Sequence, residues 1–255
     1  MSWISGPLLA FDLETTGTDV ETDRIVTAAV VRLEADGSVS AERTWLLDPG
    51  VAIPEQASAI HGISTRRARE QGMPAATAVE EITRAVTEGL RSGTPLVVMN
   101  ARYDLSLLDR ECRRHAVESV SERLGGTPSP VIDPLVIDKH VDRYRKGKRA
   151  LHALCAHYGV RLDDAHDARA DALAAARVVR SMGQAHQPVG AMALDDLQTL
   201  QVRAAAEQSL SLQAYLRRTA DPAAVVEPAW PLVPRRREPA EEEAAHASGP
   251  SVRSR

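Results

Sequence analysis

Phenylalanine occurs once in the 255 residues, at Phe11, and aromatics together make up 3% of the chain. Aliphatic and alanine side chains must therefore build the core. Cysteine is nearly as scarce. Cys112 and Cys155 form no close pair and no thiolate cluster, so neither a disulfide framework nor a thiolate metal site is expected. No run approaches 18 apolar residues, which argues against a membrane span. Met1 to Pro7 has no basic leader before the first apolar stretch, so no secretion signal is expected. The expectation is a cytoplasmic protein with two plain thiols. A strong excess of one charge is also missing: 31 Lys and Arg face 35 Asp and Glu, a formal charge of -4. That excludes the strongly basic class of nucleic-acid-binding domains but leaves local positive patches open.

What is present is an ordinary soluble balance, 44% apolar and 26% charged, in a chain long enough for one sizeable core. Pro7 to Leu13 reads as a short strand running into the polar Glu14-Thr15-Thr16-Gly17. Ile25 to Leu33 and Val39 to Leu47 read as a hairpin about Asp36-Gly37. Val79, Ile82, Val86 and Leu90 mark a helix over Pro74 to Leu90. Leu96 to Met99 and Val131 to Ile137 read as two further strands, with a helix starting near Asp104 between them. Leu151 to Tyr158 and the alanine-rich Ala168 to Met182 are predicted helices. Three strands followed by alternating strands and helices favour an α/β mixed sheet. Gln184 to Ala191 reads as a linker, and Leu194 to Leu216 as one or two helices with Leu197, Leu200, Ala204, Leu210 and Leu212 as its apolar face. The four prolines from Pro222 to Pro234 predict an extended segment, with Trp230 as an anchor. The division is therefore 1–183, a main domain; 184–234, a helical and proline-rich extension; and 235–255, a tail with too little apolar surface to order.

Asp12 and Glu14 lie two apart on the first strand, so their side chains share a side. Two carboxylates held together disfavour joint ionisation, and a hard divalent cation such as magnesium or manganese removes that cost. The bland alternative is a strand ending in solvent. Asp104 follows another strand at a helix start, where capping is the bland role. His166 lies just outside the alanine-rich helix and Asp171 a turn inside it, interrupting an apolar stretch. Strand ends of an α/β sheet are where such folds place sites. Four carboxylates and a histidine gathered there fit phosphodiester hydrolysis with two cations about 3.5–4 Å apart and the histidine as general base.

These residues resemble a known family. Phe11-Asp12-Leu13-Glu14-Thr15-Thr16-Gly17, Asn100-Ala101-Arg102-Tyr103-Asp104 and His166-Asp167-Ala168-Arg169-Ala170-Asp171 are similar to the three motifs of the DEDDh branch of DnaQ-like 3′-5′ exonucleases. That branch includes the proofreading epsilon subunit of bacterial DNA polymerase III. The resemblance covers about residues 6–183, and His61-Gly62-Ile63 matches a segment between the first two motifs. It implies a ribonuclease H-like fold, a five-stranded mixed sheet with helices on both faces. It implies metal ligation of two divalent ions, Mg2+ or Mn2+, by Asp12, Glu14, Asp104 and Asp171, with His166 as the general base. It further implies that Thr15, Thr16, His61 and Ile63 border the 3′-terminal nucleotide, Ile63 as a wedge, that Asn100 supports the substrate or its own loop, and that Asp133 is a supporting residue. Met99 and Tyr103 stand where relatives more often carry histidine and phenylalanine, and Pro134 where threonine is more usual. None of the three removes a catalytic group.

The implied activity is release of nucleoside 5′-monophosphates from single-stranded or frayed DNA 3′ ends. Two readings stand beside it. One is an exonuclease of short RNA or RNA 3′ ends, which matched substrates separate from the first. The other is a catalytically silent nucleic-acid-binding or scaffold protein, whose mark would be loss of the acidic set; here the set is complete. Residues 139–149 carry Lys139, Arg143, Arg145, Lys146, Lys148 and Arg149, either a solvated loop or a phosphate-facing patch, with Tyr144 placed to stack on a base. Gln208 to Leu212 faintly resembles a sliding-clamp-binding peptide but lacks its aromatic pair. A polymerase or clamp partner is left open, with a free-standing monomer favoured and no membrane partner.

Overall fold

In the computed structural model, residues 2–163 and 165–236 are described. Six strands form one sheet in the order β4-β3-β2-β1-β5-β6. The strands are β1 (Leu8–Thr15), β2 (Ile25–Leu33), β3 (Val39–Asp48), β4 (Met73–Pro74), β5 (Leu96–Val97) and β6 (Val131–Ile132). β1, β2 and β3 form an antiparallel meander, while β5 and β6 continue parallel to β1 on its other side. The sheet is mixed as expected; the two-residue edge strand β4, parallel to β3, makes it six-stranded rather than five.

Alternation along β1 divides the core into two layers. Leu9, Phe11 and Leu13 point to one face and pack with Val79, Ile82 and Val86 of α3 (Ala75–Arg91) and Leu105 and Leu108 of α4 (Ala101–Arg114). Leu8 and Ala10 point to the other and meet Ala172, Ala175, Ala176 and Val179 of α8 (Ala168–Ala185). The scarcity of aromatics has its counterpart here. A helix faced with alanine lies close on the sheet, and no large ring is needed to fill the layer. Two short helices that the sequence reading missed, α1 (Glu55–His61) and α2 (Thr65–Gln71), cover the far edge. Burial of Ala57 and Ala68 against Val26, Ile53 and Ile63 holds them, although neither has a long apolar periodicity.

Other boundaries shift for local reasons. The fifth expected strand stops at Ile132, because Asp133 caps a helix that Pro134 starts, α6 (Pro134–Val141). α5 (Val120–Leu124) and α7 (Leu151–Tyr158) complete the helices before α8. The expected linker after α8 is instead a packed turn of helix, α9 (Gln187–Gly190), with Val189 buried. Gly190 lies so close to Gly183 that a Cβ would sit 2.1 Å from the Gly183 carbonyl oxygen. The extension is one helix, α10 (Leu194–Thr219). Its buried face is Leu197, Leu200, Gln201, Ala204 and Ala205, whereas Leu210 and Leu212, expected there, are exposed. Residues 221–236 then run without helix or strand across α4, anchored by buried Trp230. The expected disordered tail falls mainly on residues 237–255, outside the described residues. A mixed sheet with helices on both faces and a helical extension is the ribonuclease H-like architecture.

Candidate active site

The site follows from where each layer runs out. Leu8 and Ala10 are covered by α8, and Asp12 and Glu14 continue that face beyond the last apolar layer. α8 begins at the same level and brings Asp171 over them. On the other side of β1, pairing with β5 ends at Ala10 and Val97, which leaves the next part of that edge free of strand partners. Asp104 fills the gap: buried on α4, it accepts a hydrogen bond from Leu13 N at 3.1 Å. The helix that carries the third acid is thus tied to the strand that carries the first two.

His166 stands at the mouth, exposed, with a left-handed backbone (φ 70°). Its amide donates to Asp171 Oδ2 at 3.3 Å. Capping of α8 falls to Asp167, which accepts from Ala170 N. Glu14, His166 and Asp171 each offer a ligand atom, and these atoms lie within 4.8 Å of one another. Asp12 and Asp104 lie beside this trio rather than in it. Of the four expected ligands the structure therefore groups two, with the expected base as third member.

Electrostatics marks the cluster. Burial, then the charges of Asp104, Asp171, Glu14 and Asp167, hold the Asp12 carboxyl well above the usual carboxylate range. Burial and the neighbouring Asp171 and Asp167 push Glu14 to about 8. Asp104 and Asp171 are also raised, chiefly by burial. Asp171 Oδ1 is buried without a hydrogen-bond partner among the described residues. An orphaned oxygen among mutually repelling carboxyls is a donor set suited to a hard divalent cation. The trio Glu14, His166 and Asp171 is accordingly a candidate divalent-metal group.

The residues expected around a terminal nucleotide are placed unevenly. Thr15 follows directly on Glu14, but its hydroxyl is engaged by Tyr103 Oη at 2.8 Å and the Gly17 carbonyl at 2.7 Å. Thr16 is buried and donates to Asp23 Oδ1 at 2.7 Å, which closes the following loop. His61 ends α1 near His166; burial lowers its pKa, and Nε2 is buried without a hydrogen-bond partner among the described residues. Ile63, 7% exposed, packs into the α1–α2 layer. Asn100 is exposed and left-handed (φ 64°) immediately before α4.

The network behind α4 joins residues far apart in the chain. Buried Asp133 accepts from the amides of Asn100 (3.1 Å) and Ala101 (3.0 Å) at the start of α4 and from Leu135 N. Trp230 Nε1 donates to the same carboxylate at 3.3 Å, and Gln201 of α10 accepts from Asp133 N at 2.7 Å. Asp133 was readable as a support; Trp230 and Gln201 lie 97 and 68 residues away from it in sequence, with no spacing signal to join them.

A two-faced mixed sheet with acids converging at its central strand defines a phosphodiester-hydrolase type of site. Residues 9–179 match the family model described as RNase_T, exonuclease, and the chain belongs to that exonuclease family. The DNA polymerase III PolC-type of Lacticaseibacillus paracasei is 27% identical over 168 residues, 66% of this chain and 11% of that protein. The PolC-type polymerase of Caldanaerobacter subterraneus is 25% identical over 198 residues, 77% of this chain and 13% of that protein. The chain thus spans roughly a tenth of the length of these curated relatives. Among solved structures, Escherichia coli exonuclease I bound to a dT13 oligonucleotide is similar with a TM-score of 0.59 at 21% identity, over 72% of this chain and 42% of that one. Exonuclease I of Methylocaldum szegediense has a TM-score of 0.58 at 23% identity, over 82% and 46%. The sequence similarity is thus to PolC-type polymerases and the likeness to exonuclease I is one of fold, with nothing specific to the epsilon subunit. No helix among the described residues is long and apolar enough to cross a membrane.

Proposed function

We propose that the protein is an epsilon-like 3′-5′ exonuclease that removes nucleoside 5′-monophosphates from single-stranded or frayed DNA ends. The observation that carries the reading is the convergence of Glu14, His166 and Asp171 beside Asp12 and Asp104, at the end of the central strand, in a chain of the exonuclease family. Asp12, Glu14, Asp104 and Asp171 would hold two divalent ions, Mg2+ or Mn2+. When bound, such ions stabilise the charge on the attacking and leaving oxygens of an in-line displacement. His166, exposed at the rim, takes a proton from the attacking water at a ring nitrogen. The new bond forms from that water to phosphorus. The bond from phosphorus to the 3′ oxygen of the penultimate sugar breaks, and that oxygen takes a proton from solvent water to become the fresh 3′-hydroxyl. Thr15 and Thr16, through backbone atoms where their hydroxyls are engaged, His61, Ile63 and Asn100 border the terminal nucleotide. Residues 1–183 form the catalytic unit and 184–234 its extension, and the protein acts as a free-standing cytoplasmic monomer.

The test is a gel time course on 3′- and 5′-labelled single strands, DNA and RNA side by side, with Mg2+, Mn2+ or chelator. Stepwise shortening from the 3′ end that needs metal, and that is lost in Asp12→Ala, is the expected result. Shortening of RNA alone would move the substrate to RNA. No shortening of either polymer by the folded, metal-supplied protein refutes the reading.

A further inference from the structure

Between α6 with its following loop and α10 lies a cavity of about 680 Å³, lined by Lys139, His140, Arg143 and Tyr144 on one side and by Ser211 and Tyr215 on the other. A second cavity, about 190 Å³, shares Lys139, Gln208 and Leu212 with it and extends to Asn100. Asn100 immediately precedes the helix that carries Asp104. The two cavities therefore make one depression, from Asn100 at the start of the helix that carries Asp104 to Tyr215 on α10.

The chemistry of its walls is specific. The loop is pinned from within: buried Asp138 accepts from Arg145 at 2.5 Å and also from Arg149. Those two arginines are spent on shape. Of the cations that line the cavity, Lys139 and Arg143 make no ion pair among the described residues, with Asp133 and Asp138 the acids nearest in effect to Lys139. Across the depression stands one acid, Glu207, 3.9 Å from Arg203 of its own helix. The wall thus presents Lys139 and Arg143, neither in an ion pair, on a braced loop, an arrangement suited to phosphates. The aromatic content is as pointed. The chain has four tyrosines. Tyr103 and Tyr158 are hydrogen-bonded inside, whereas Tyr144 and Tyr215 are 87% and 53% exposed, on opposite walls of this depression. Exposed rings interleaved with cations suit stacked bases on a tracked backbone.

We infer that this depression is a track for single-stranded DNA, holding the nucleotides upstream of the 3′ end, with Arg143 on phosphate and Tyr144 and Tyr215 on bases. The inference rests on the exonuclease reading for its direction, toward Asn100. It assigns a binding role to α10, which lies outside the family match at residues 9–179.

The experiment is fluorescence anisotropy of a labelled, roughly 15-nucleotide oligothymidylate in chelator, where no hydrolysis occurs, with a trinucleotide as the short control. Tyr144→Ala, Tyr215→Ala and Arg143→Ala all remove exposed side chains, and circular dichroism checks that each variant is folded. Each tyrosine variant should weaken binding of the long oligonucleotide by about fivefold or more. Arg143→Ala should reduce the slope of log affinity against log salt by about 0.7. Unchanged affinity and slope in all three variants would overturn the track. So would displacement of the oligonucleotide by polyglutamate, of equal length, at equal or lower concentration, which would make the groove an acidic-peptide site. The two proposals separate cleanly. Variant-sensitive binding without metal-dependent shortening keeps the track and removes the exonuclease. Shortening with variant-insensitive binding removes the track alone.

Discussion

Asp12, Glu14, Asp104 and Asp171 are held in a state that costs folding energy, and the cost has a sign. Their folded pKa values lie above the unfolded ones, so the folded protein binds more protons than the unfolded chain. Stability from these groups is present at low pH and is lost as pH rises from Glu14's ordinary 4.5 through its folded value of about 8. In chelator, the site's contribution to Tm should fall between about pH 5.5 and about pH 8. The Tm gain on adding Mn2+ should be larger at the upper pH, because the ion replaces protons that must otherwise be held. Differential scanning fluorimetry of the wild type beside Asp12→Asn checks both, and a flat Tm gain across that range would contradict the donor set. On catalysis, Asp171→Ala should slow shortening by on the order of 10²-fold or more, the scale seen when one preorganised charge-stabilising group is removed, read by the same gel assay. The thiols behave oppositely to a reactive site. Burial raises Cys112 to about 12 and Cys155 to about 11, and both are free. Neither should react with a maleimide until the protein unfolds.

At the scale of elements, α4 is the part on which the site depends most. Its first amide and that of the preceding Asn100 are held by Asp133, and Asp104 reaches Leu13 one turn later. Asp133 is in turn held from the extension by Trp230 and Gln201. Trp230→Phe keeps most of the packing and removes the indole donor; it should cost about 1 kcal/mol in a urea titration. Trp230→Ala also opens a cavity and should cost about 3–5 kcal/mol. The indole donates to Asp133, which holds the amides of Asn100 and Ala101, so KM for a DNA strand should rise in Trp230→Phe beyond what reduced stability explains. The same logic applies where α9 meets α8. Gly190→Ala must displace the Gly183 carbonyl and should destabilise by about 1–3 kcal/mol. A flexible linker at that place, as composition alone suggests, would tolerate it.

At the scale of the whole molecule, the catalytic sheet and its C-terminal extension share structure: α10 packs on α6 and β6, and residues 221–236 cross α4 to place Arg236 3.2 Å from Asp19 in the loop after β1. Much of this was readable without coordinates. The central strand, the meander, α3 and α8 follow from periodicity, and the grouping of Glu14, His166 and Asp171 from short motifs, because each depends on neighbours within a turn or a pleat. The strand period of two alone puts Asp12 and Glu14 on the face of Leu8 and Ala10. What was not readable depends on partners far apart in the chain. α1 and α2 are short and lack a strong apolar repeat, so only burial against Val26 and Ile53 reveals them. The linker that is a helix, the apolar leucines that are exposed, and the tryptophan that braces an active-site helix all turn on which surfaces meet. Local sequence carries the chemistry of the acids. Their separation and protonation, and the cationic trough beside them, exist only once β1, α4, α6, α8 and α10 have packed, because burial and charge proximity are properties of the assembled interior and not of any one segment.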